Sequence, residues 1–261
     1  MNRIEKKFRQ LKRNNQKALI VFITGGYPNL RVTKKLILAL DKIGVDILEI
    51  GIPFSDPLAD GPIIQESSQK ALKNKVNLIQ ILHLIKEARK HSSIPITLMT
   101  YYNPIFCFGE ERFLRVATSA GVDGVIVPDL PPEEGRPLIK LANKYNLDVI
   151  CFISPTTPLS RIKYIARIAK GFIYYVSLTG VTGPRSTLPK ELKAQVRMIK
   201  KITPKPICVG FGISGAEQAR EIYKIADGVI VGSAVIKKIK QNLTKSDLLR
   251  RVIKFVAGLK P

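Results

Sequence analysis

Followed position by position, the chain alternates between short apolar runs and longer stretches in which apolar and polar residues recur at helical spacing. Eight runs have the length and Val/Ile/Leu content of buried strands: Leu19–Ile23, Ile47–Ile50, Ile96–Met99, Gly124–Val127, Asp148–Ile153, Ile173–Val176, Ile207–Val209 and Gly228–Val231. Between them lie stripes such as Leu36, Leu40 and Ile43, or Ile162, Ile165, Ala166 and Ala169. A stripe of that period is the face an amphipathic helix buries.

One local pattern joins the two kinds of segment. Gly44-Val45-Asp46, Gly121-Val122-Asp123 and Ala226-Asp227 each close a helical stretch and open an apolar run. Glycine suits the left-handed turn that ends a helix, and an acid is a reasonable loop residue before the chain extends. Eight β-then-α units in 261 residues, roughly 33 residues each, predict an α/β fold, a single-domain (β/α)8 TIM barrel over residues 1–261. A doubly wound open sheet is the alternative, but it usually opens with G-x-G-x-x-G where this chain has ITGGYPN. Arg3–Asn14 predicts an extra N-terminal helix closing the barrel bottom. Gln65–His91 is too long for one crossover helix and predicts two, broken near Asn74–Asn77.

Composition then narrows the function classes. No run approaches the roughly 18 apolar residues of a membrane span, and no apolar segment long enough for a signal peptide follows the charged N-terminal stretch. A soluble, cytoplasmic protein is expected. Cys107, Cys151 and Cys208 are widely spaced, and the last two sit in strand-like runs as buried small hydrophobes. With no CxxC and two histidines, His83 and His91, away from any cysteine cluster, no metal site is expected. Lys and Arg number 43 against 20 Asp and Glu, a formal charge of +23 that would attract anions. The bases are spread between apolar helical positions, with no Arg-rich tail or basic run interleaved with aromatics. A solvated, lysine-rich surface is the reading taken over a nucleic-acid function.

Against that excess of bases, LEIGIPFSDPLADGP (Leu48–Pro62) holds Glu49, Asp56 and Asp60. Alternation puts Ile47 and Glu49 on one face of the second strand, near the C-terminal end where barrel enzymes carry their chemistry. In an apolar mouth a glutamate's pKa rises, so it can donate a proton near neutral pH. A glutamate paired with a lysine, or capping a backbone group, is the alternative. Asp60 can face the same cavity or simply serve its Asp-Gly-Pro turn. Strands seven and eight end in VGFGIS (Val209–Ser214) and VGSAV (Val231–Val235), where barrels often bind phosphate through bare backbone N–H groups and helix N-termini. TGVTGPRS (Thr179–Ser186), after the sixth strand, suits a mobile lid or an ordinary flexible loop. Two acids and a phosphate site, without a catalytic His, Cys or metal, point to acid–base chemistry on a phosphorylated carbon skeleton.

Together with MTYYNP, GVIVPDLPPEE, SPTTP and YYVSLTGVTG, these motifs resemble in order and spacing the tryptophan synthase α subunit family, from ITGGYP to the last strand. The resemblance implies a carbon–carbon lyase: retro-aldol cleavage of indole-3-glycerol phosphate to indole and glyceraldehyde 3-phosphate, with no cofactor in this subunit. It also implies a partner, a pyridoxal-phosphate-dependent β subunit that consumes the indole within an α2β2 assembly. In its terms Glu49 protonates indole C3 and Asp60 pairs with the indole N–H. Phe22, Ile64 and Tyr101 match the indole pocket, and Tyr174 a substrate contact. Gly183, Gly212, Gly232 and Ser233 match the phosphate contacts, Phe211 a further substrate contact, and Thr182 the lid threonine that closes on Asp60. Asp56, Asn103 and Pro131 match the partner interface. The chain departs from familiar members in its charge, many of them being acidic or near neutral.

Overall fold

The apolar runs become the strands of one closed sheet. The structure, a computed structural model, describes residues 1–176, 190–210 and 212–260. In chain order its elements are α1 (Arg3–Arg13), β1 (Ala18–Thr24), α2 (Leu30–Lys42), β2 (Ile47–Gly51), α3 (Pro62–Lys73), α4 (Leu78–Ala88) and β3 (Ile96–Met99). There follow α5 (Tyr102–Phe108), α6 (Glu110–Ala120), β4 (Gly124–Ile126), α7 (Arg136–Lys144), β5 (Asp148–Ile153), α8 (Leu159–Ile168) and β6 (Ile173–Val176). The chain ends with α9 (Lys190–Ile202), β7 (Ile207–Gly210), α10 (Ala216–Tyr223), β8 (Gly228–Val231), α11 (Ser233–Lys240) and α12 (Leu248–Ala257). Each strand pairs in parallel with the next and β8 returns to β1, so the TIM barrel expected from the pattern closes.

Strand register decides which side chains meet in the lumen. Ile20 lies opposite Ile47, Phe22 opposite Glu49, Met99 opposite Ile126, and Phe152 opposite Tyr174. The lower lumen is filled by Ile20, Ile47, Ile126, Ile150, Cys208 and Ile230. From below it is stoppered by α1, whose Ile4, Phe8 and Leu11 are buried on one stripe, the Phe8 ring 5.8 Å from that of Phe172. Asn2 starts this helix by accepting the Ile4 N–H at 2.8 Å. The outer faces of the strands pack against the helix layer in a second, larger apolar cluster. Cys151 and Cys208 are buried as expected, and Cys107 is exposed.

The aspartates of the recurring turns have a task the pattern did not disclose. Asp46 accepts the N–H of Leu19 at 2.9 Å, Asp123 that of Ile96 at 2.9 Å, and Asp227 that of Ile207 at 3.0 Å. Each acid opens an even-numbered strand and ties down an N–H at the start of the strand before it. Cations complete the arrangement: Lys7 lies 3.5 Å from Asp46, Arg3 and Arg89 each 2.8 Å from Asp123, and Lys200 2.8 Å from Asp227. Gly44 and Gly121 take φ of +78° and +90°, the left-handed turn expected of them.

The Gln65–His91 segment is two helices, α3 and α4, the second opened by a reciprocal cap between Asn77 and Gln80. The helix α5 was not anticipated. Its sequence YNPIFCF has no polar–apolar period, and Ile105 is its buried residue.

Candidate active site

Glu49 enters the lumen from β2, on the same face as Ile47 and nearer the mouth, and is 1% exposed. Neither carboxylate oxygen has a hydrogen-bond partner among the described residues. Burial with no compensating contact disfavours the ionised form, and the pKa is pushed up to about 8. At neutral pH this carboxyl therefore carries a proton it can give away.

Two aromatic rings frame it. Phe22 on β1 is its register neighbour. Tyr174 on β6 lies near enough that burial, with the Glu49 charge behind it, holds its phenol proton far above the ordinary tyrosine range. The Phe152 ring is 4.9 Å from that of Tyr174. Glycine makes room for both rings. A Cβ on Gly51 would stand 2.5 Å from Phe22 Cζ, and one on Gly210 would stand 2.5 Å from the Tyr174 hydroxyl. Gly210, within the VGFGIS motif, thus serves the aromatic wall.

Asp60, in the loop between β2 and α3, reaches the same mouth, since its charge and that of Glu49 both act on Tyr174. Burial raises its pKa to about 6, against a lowering hydrogen bond from the Tyr101 hydroxyl. The loop is tied locally. The Ala59 N–H donates to the Tyr101 hydroxyl at 2.9 Å, Gln65 Nε2 donates to the Asp60 carbonyl at 2.8 Å, and Phe54 stacks on Tyr101 at 5.3 Å. Ile64, half-buried in the first turn of α3, packs against the apolar cluster that contains Phe22.

Also at the mouth, two helix N-termini follow β7 and β8, the arrangement expected of a phosphate site. The first, α10, begins after Gly215, and α11 begins at Ser233 after Gly232. Gly212 has φ +69° and, among the described residues, no atom near where a Cβ would be, whereas Gly232 backs onto Phe22 at 3.2 Å. Thr182, Gly183 and Phe211 lie outside the described residues, as does the whole Thr179–Ser186 stretch.

Of the expected rim residues, Asp56 and Asn103 are exposed and Pro131 is half-buried. Large exposed apolar side chains neighbour the first two, Leu58 at 90% and Phe106 at 65%. Asp129 escaped the sequence reading. Both its carboxylate oxygens accept the Tyr102 N–H, at 2.9 and 3.2 Å. The available clue was an acid set in a proline-bounded loop at the end of the fourth strand, VPDLPP. Behind that loop, against β5 and α7, lies a separate cavity of about 180 Å³. It is lined by Pro131, Leu138 and Cys151 among others and by neither Glu49 nor Asp60. Among the described residues no group of three or more His, Cys, Asp or Glu side chains is placed to hold a metal.

The family model for the tryptophan synthase alpha chain matches residues 8–260. The tryptophan synthase alpha chain of Caldanaerobacter subterraneus subsp. tengcongensis is 45% identical, over 100% of this chain and 99% of that protein. That of Geotalea uraniireducens is 48% identical, over 100% and 97%. Among solved structures, tryptophan synthase subunit alpha from Legionella pneumophila superposes with a TM-score of 0.93 at 39% identity, covering 99% of this chain and 97% of that one. A chain of the tryptophan synthase α2β2 complex from Pyrococcus furiosus, described there as mutually activated, gives 0.88 at 40% identity, over 94% and 98%.

Proposed function

This chain belongs to the tryptophan synthase alpha chain family, and we propose that its barrel mouth cleaves indole-3-glycerol phosphate to indole and glyceraldehyde 3-phosphate through Glu49 and Asp60. The observation that carries this assignment is the Glu49 carboxyl: buried, without a hydrogen-bond partner among the described residues, and with its pKa pushed up to about 8 by that burial. An indolyl carbanion is a poor leaving group, so indole C3 must gain a proton before its bond to the glycerol chain can break. Glu49 supplies that proton. The resulting indolenine carries positive charge at N1, which the ionised Asp60 stabilises. Glu49, now a carboxylate, takes the proton of the side-chain hydroxyl as the C–C bond opens to the aldehyde, which restores the starting acid. Phe22, Ile64, Tyr101 and Tyr174 hold the indole, and the phosphate rests at the N-termini after β7 and β8 with Gly212, Gly232 and Ser233. Thr182, Gly183 and Phe211 complete the substrate set by their place in the sequence.

The same reading makes the chain the α partner of a β subunit that carries pyridoxal phosphate, in the cytoplasm, within an α2β2 enzyme. Asp56 and Pro131 sit on loops of the catalytic rim and Asn103 in α5, and the exposed Leu58 and Phe106 give that rim the apolar character of a docking surface. The direct test is indole release from indole-3-glycerol phosphate by the purified chain and by Glu49→Gln. General acid–base catalysis contributes about 10²–10⁴-fold. A folded Glu49→Gln protein that keeps a third of the rate removes Glu49 from the mechanism.

A further inference from the structure

Tyr101 was expected to line an apolar pocket, yet its hydroxyl has polar work of its own. The oxygen accepts the Ala59 N–H at 2.9 Å, which leaves the phenol proton free for another acceptor. Asp60, the residue after Ala59, supplies the carboxylate whose charge bears on that phenol. The ring is clamped, 4% exposed and stacked on Phe54. The next residue, Tyr102, opens α5, where both Asp129 oxygens grip its N–H and its own hydroxyl donates to Glu110 at 2.9 Å. The loops after β2, β3 and β4 are in this way joined by one line of contacts that ends at Ala59, beside Asp60.

We propose that Tyr101 is a positioning residue for Asp60, and that Asp129 anchors Tyr101 by fixing the start of α5. The proposal rests on Asp60 being the partner of the indole N–H. A carboxylate on a loop must already be ionised and aimed when charge develops on the ring, because reorganising during the reaction would cost rate. The titratable groups facing Asp60 are Tyr101 and Tyr174, with Glu49 also facing Tyr174 and Asp129 acting on Tyr101. Burial opposes the charge on Asp60, and the Tyr101 hydrogen bond favours it.

Tyr101→Phe keeps the ring and its stack and removes the hydroxyl. The first readout is the titration of Asp60 by carbon NMR in aspartate-labelled protein, the resonance assigned by its loss in Asp60→Asn. Its midpoint should rise by about one pH unit, the size of a lost hydrogen bond to a charged group. The second is kcat/KM for indole-3-glycerol phosphate across pH 5–9. Its acid limb should move up in step, so that the loss is about tenfold at low pH and small on the plateau. Asp129→Ala should move the same titration in the same direction by less. An unmoved titration in Tyr101→Phe, with activity lost equally at every pH, would leave Tyr101 as pocket wall and overturn the proposal. A titration that moves in Tyr101→Phe but not in Asp129→Ala would remove the anchor. The NMR arm needs no turnover. A wild-type chain that releases no indole therefore sinks the assigned reaction without touching this test.

Discussion

If Glu49 is kept protonated by burial alone, it must weigh on stability in a pH-dependent way, and Glu49→Gln makes that weight measurable. The pKa moves from 4.5 in an exposed chain to about 8 in the fold. Between those values the folded protein binds a proton that the unfolded chain lacks, so stability must fall as pH rises, by about 1.4 kcal/mol per unit. Across the full interval that amounts to roughly 5 kcal/mol, and from pH 4.5 to 7 to roughly 3 kcal/mol. Below pH 4.5 both states are protonated and the effect vanishes. Glutamine has nearly the same shape as the protonated acid and does not titrate, so its burial contributes a constant. Urea unfolding of both proteins at pH 5, 6, 7 and 8 is the assay. The difference in unfolding free energy isolates Glu49, since every other titrating group is shared. Glu49→Gln should gain on the wild type steadily over that range while losing nearly all lyase activity. Parallel stability curves would mean that Glu49 titrates normally in the fold, and the acid role assigned to it would lose its physical basis.

The wild-type kcat/KM should be bell-shaped, rising with ionised Asp60 near pH 6 and falling as Glu49 loses its proton near pH 8; a flat profile between pH 5 and 9 refutes both assignments. Gly51→Ala would set a Cβ 2.5 Å from the Phe22 ring. It should cost about 1–3 kcal/mol in urea unfolding and slow cleavage as the ring is displaced, and an unchanged protein would mean the ring has room to spare. Asp123→Ala takes from Arg89, whose side chain is 10% exposed, its carboxylate partner, leaving it backbone carbonyls alone, and leaves the Ile96 N–H without its acceptor. A loss of about 3 kcal/mol is expected with turnover retained in the folded protein, and less than 1 kcal/mol would make the cluster decorative. With a cognate β subunit, indole release should rise at least tenfold, and Asp56→Ala should abolish that ratio; an equal ratio would move the interface elsewhere.

Much of this was legible because the sequence announces its turns. The apolar runs are bounded by Gly, Asn, Asp and Pro, so each strand could be placed to within a residue or two, and an acid at Glu49 inside such a run was conspicuous. What could not be read is whatever depends on a neighbour distant in the chain. The turn aspartates looked like generic loop residues, yet Asp123 serves the N–H of Ile96 on the strand before it. Gly210 looked like part of a phosphate loop, and only the position of Tyr174 reveals the ring it admits. Asp129 holds Tyr102 across two loops, a pairing no local pattern encodes. The helix α5 lacked the apolar period that betrays longer helices.

The chain has 20 acids against 43 bases, and where it places them separates structure from chemistry. At the barrel bottom, Asp46, Asp123 and Asp227 each receive a strand N–H and a cation. Their charge is neutralised where it stands, and they hold strands in register. Glu49 receives neither among the described residues, so in the fold its charge goes uncompensated. Lack of a partner does not by itself mark a catalyst, however. Asp148, which opens β5 near Gly171 and Lys170, also has an oxygen without a partner, and burial raises its pKa to about 7. It lies at the bottom, away from the mouth, with Lys170, Glu5 and Asp123 acting on it. Glu49 differs in being flanked by two aromatic rings that bare glycines admit, with Asp60 converging on the same tyrosine. A proton held in reserve becomes chemistry only where a flat substrate can be laid beside it and its developing charge met from the other side. In this barrel the described residues bring a buried acid, two rings and a second carboxylate together at Glu49, the arrangement the proposed cleavage requires.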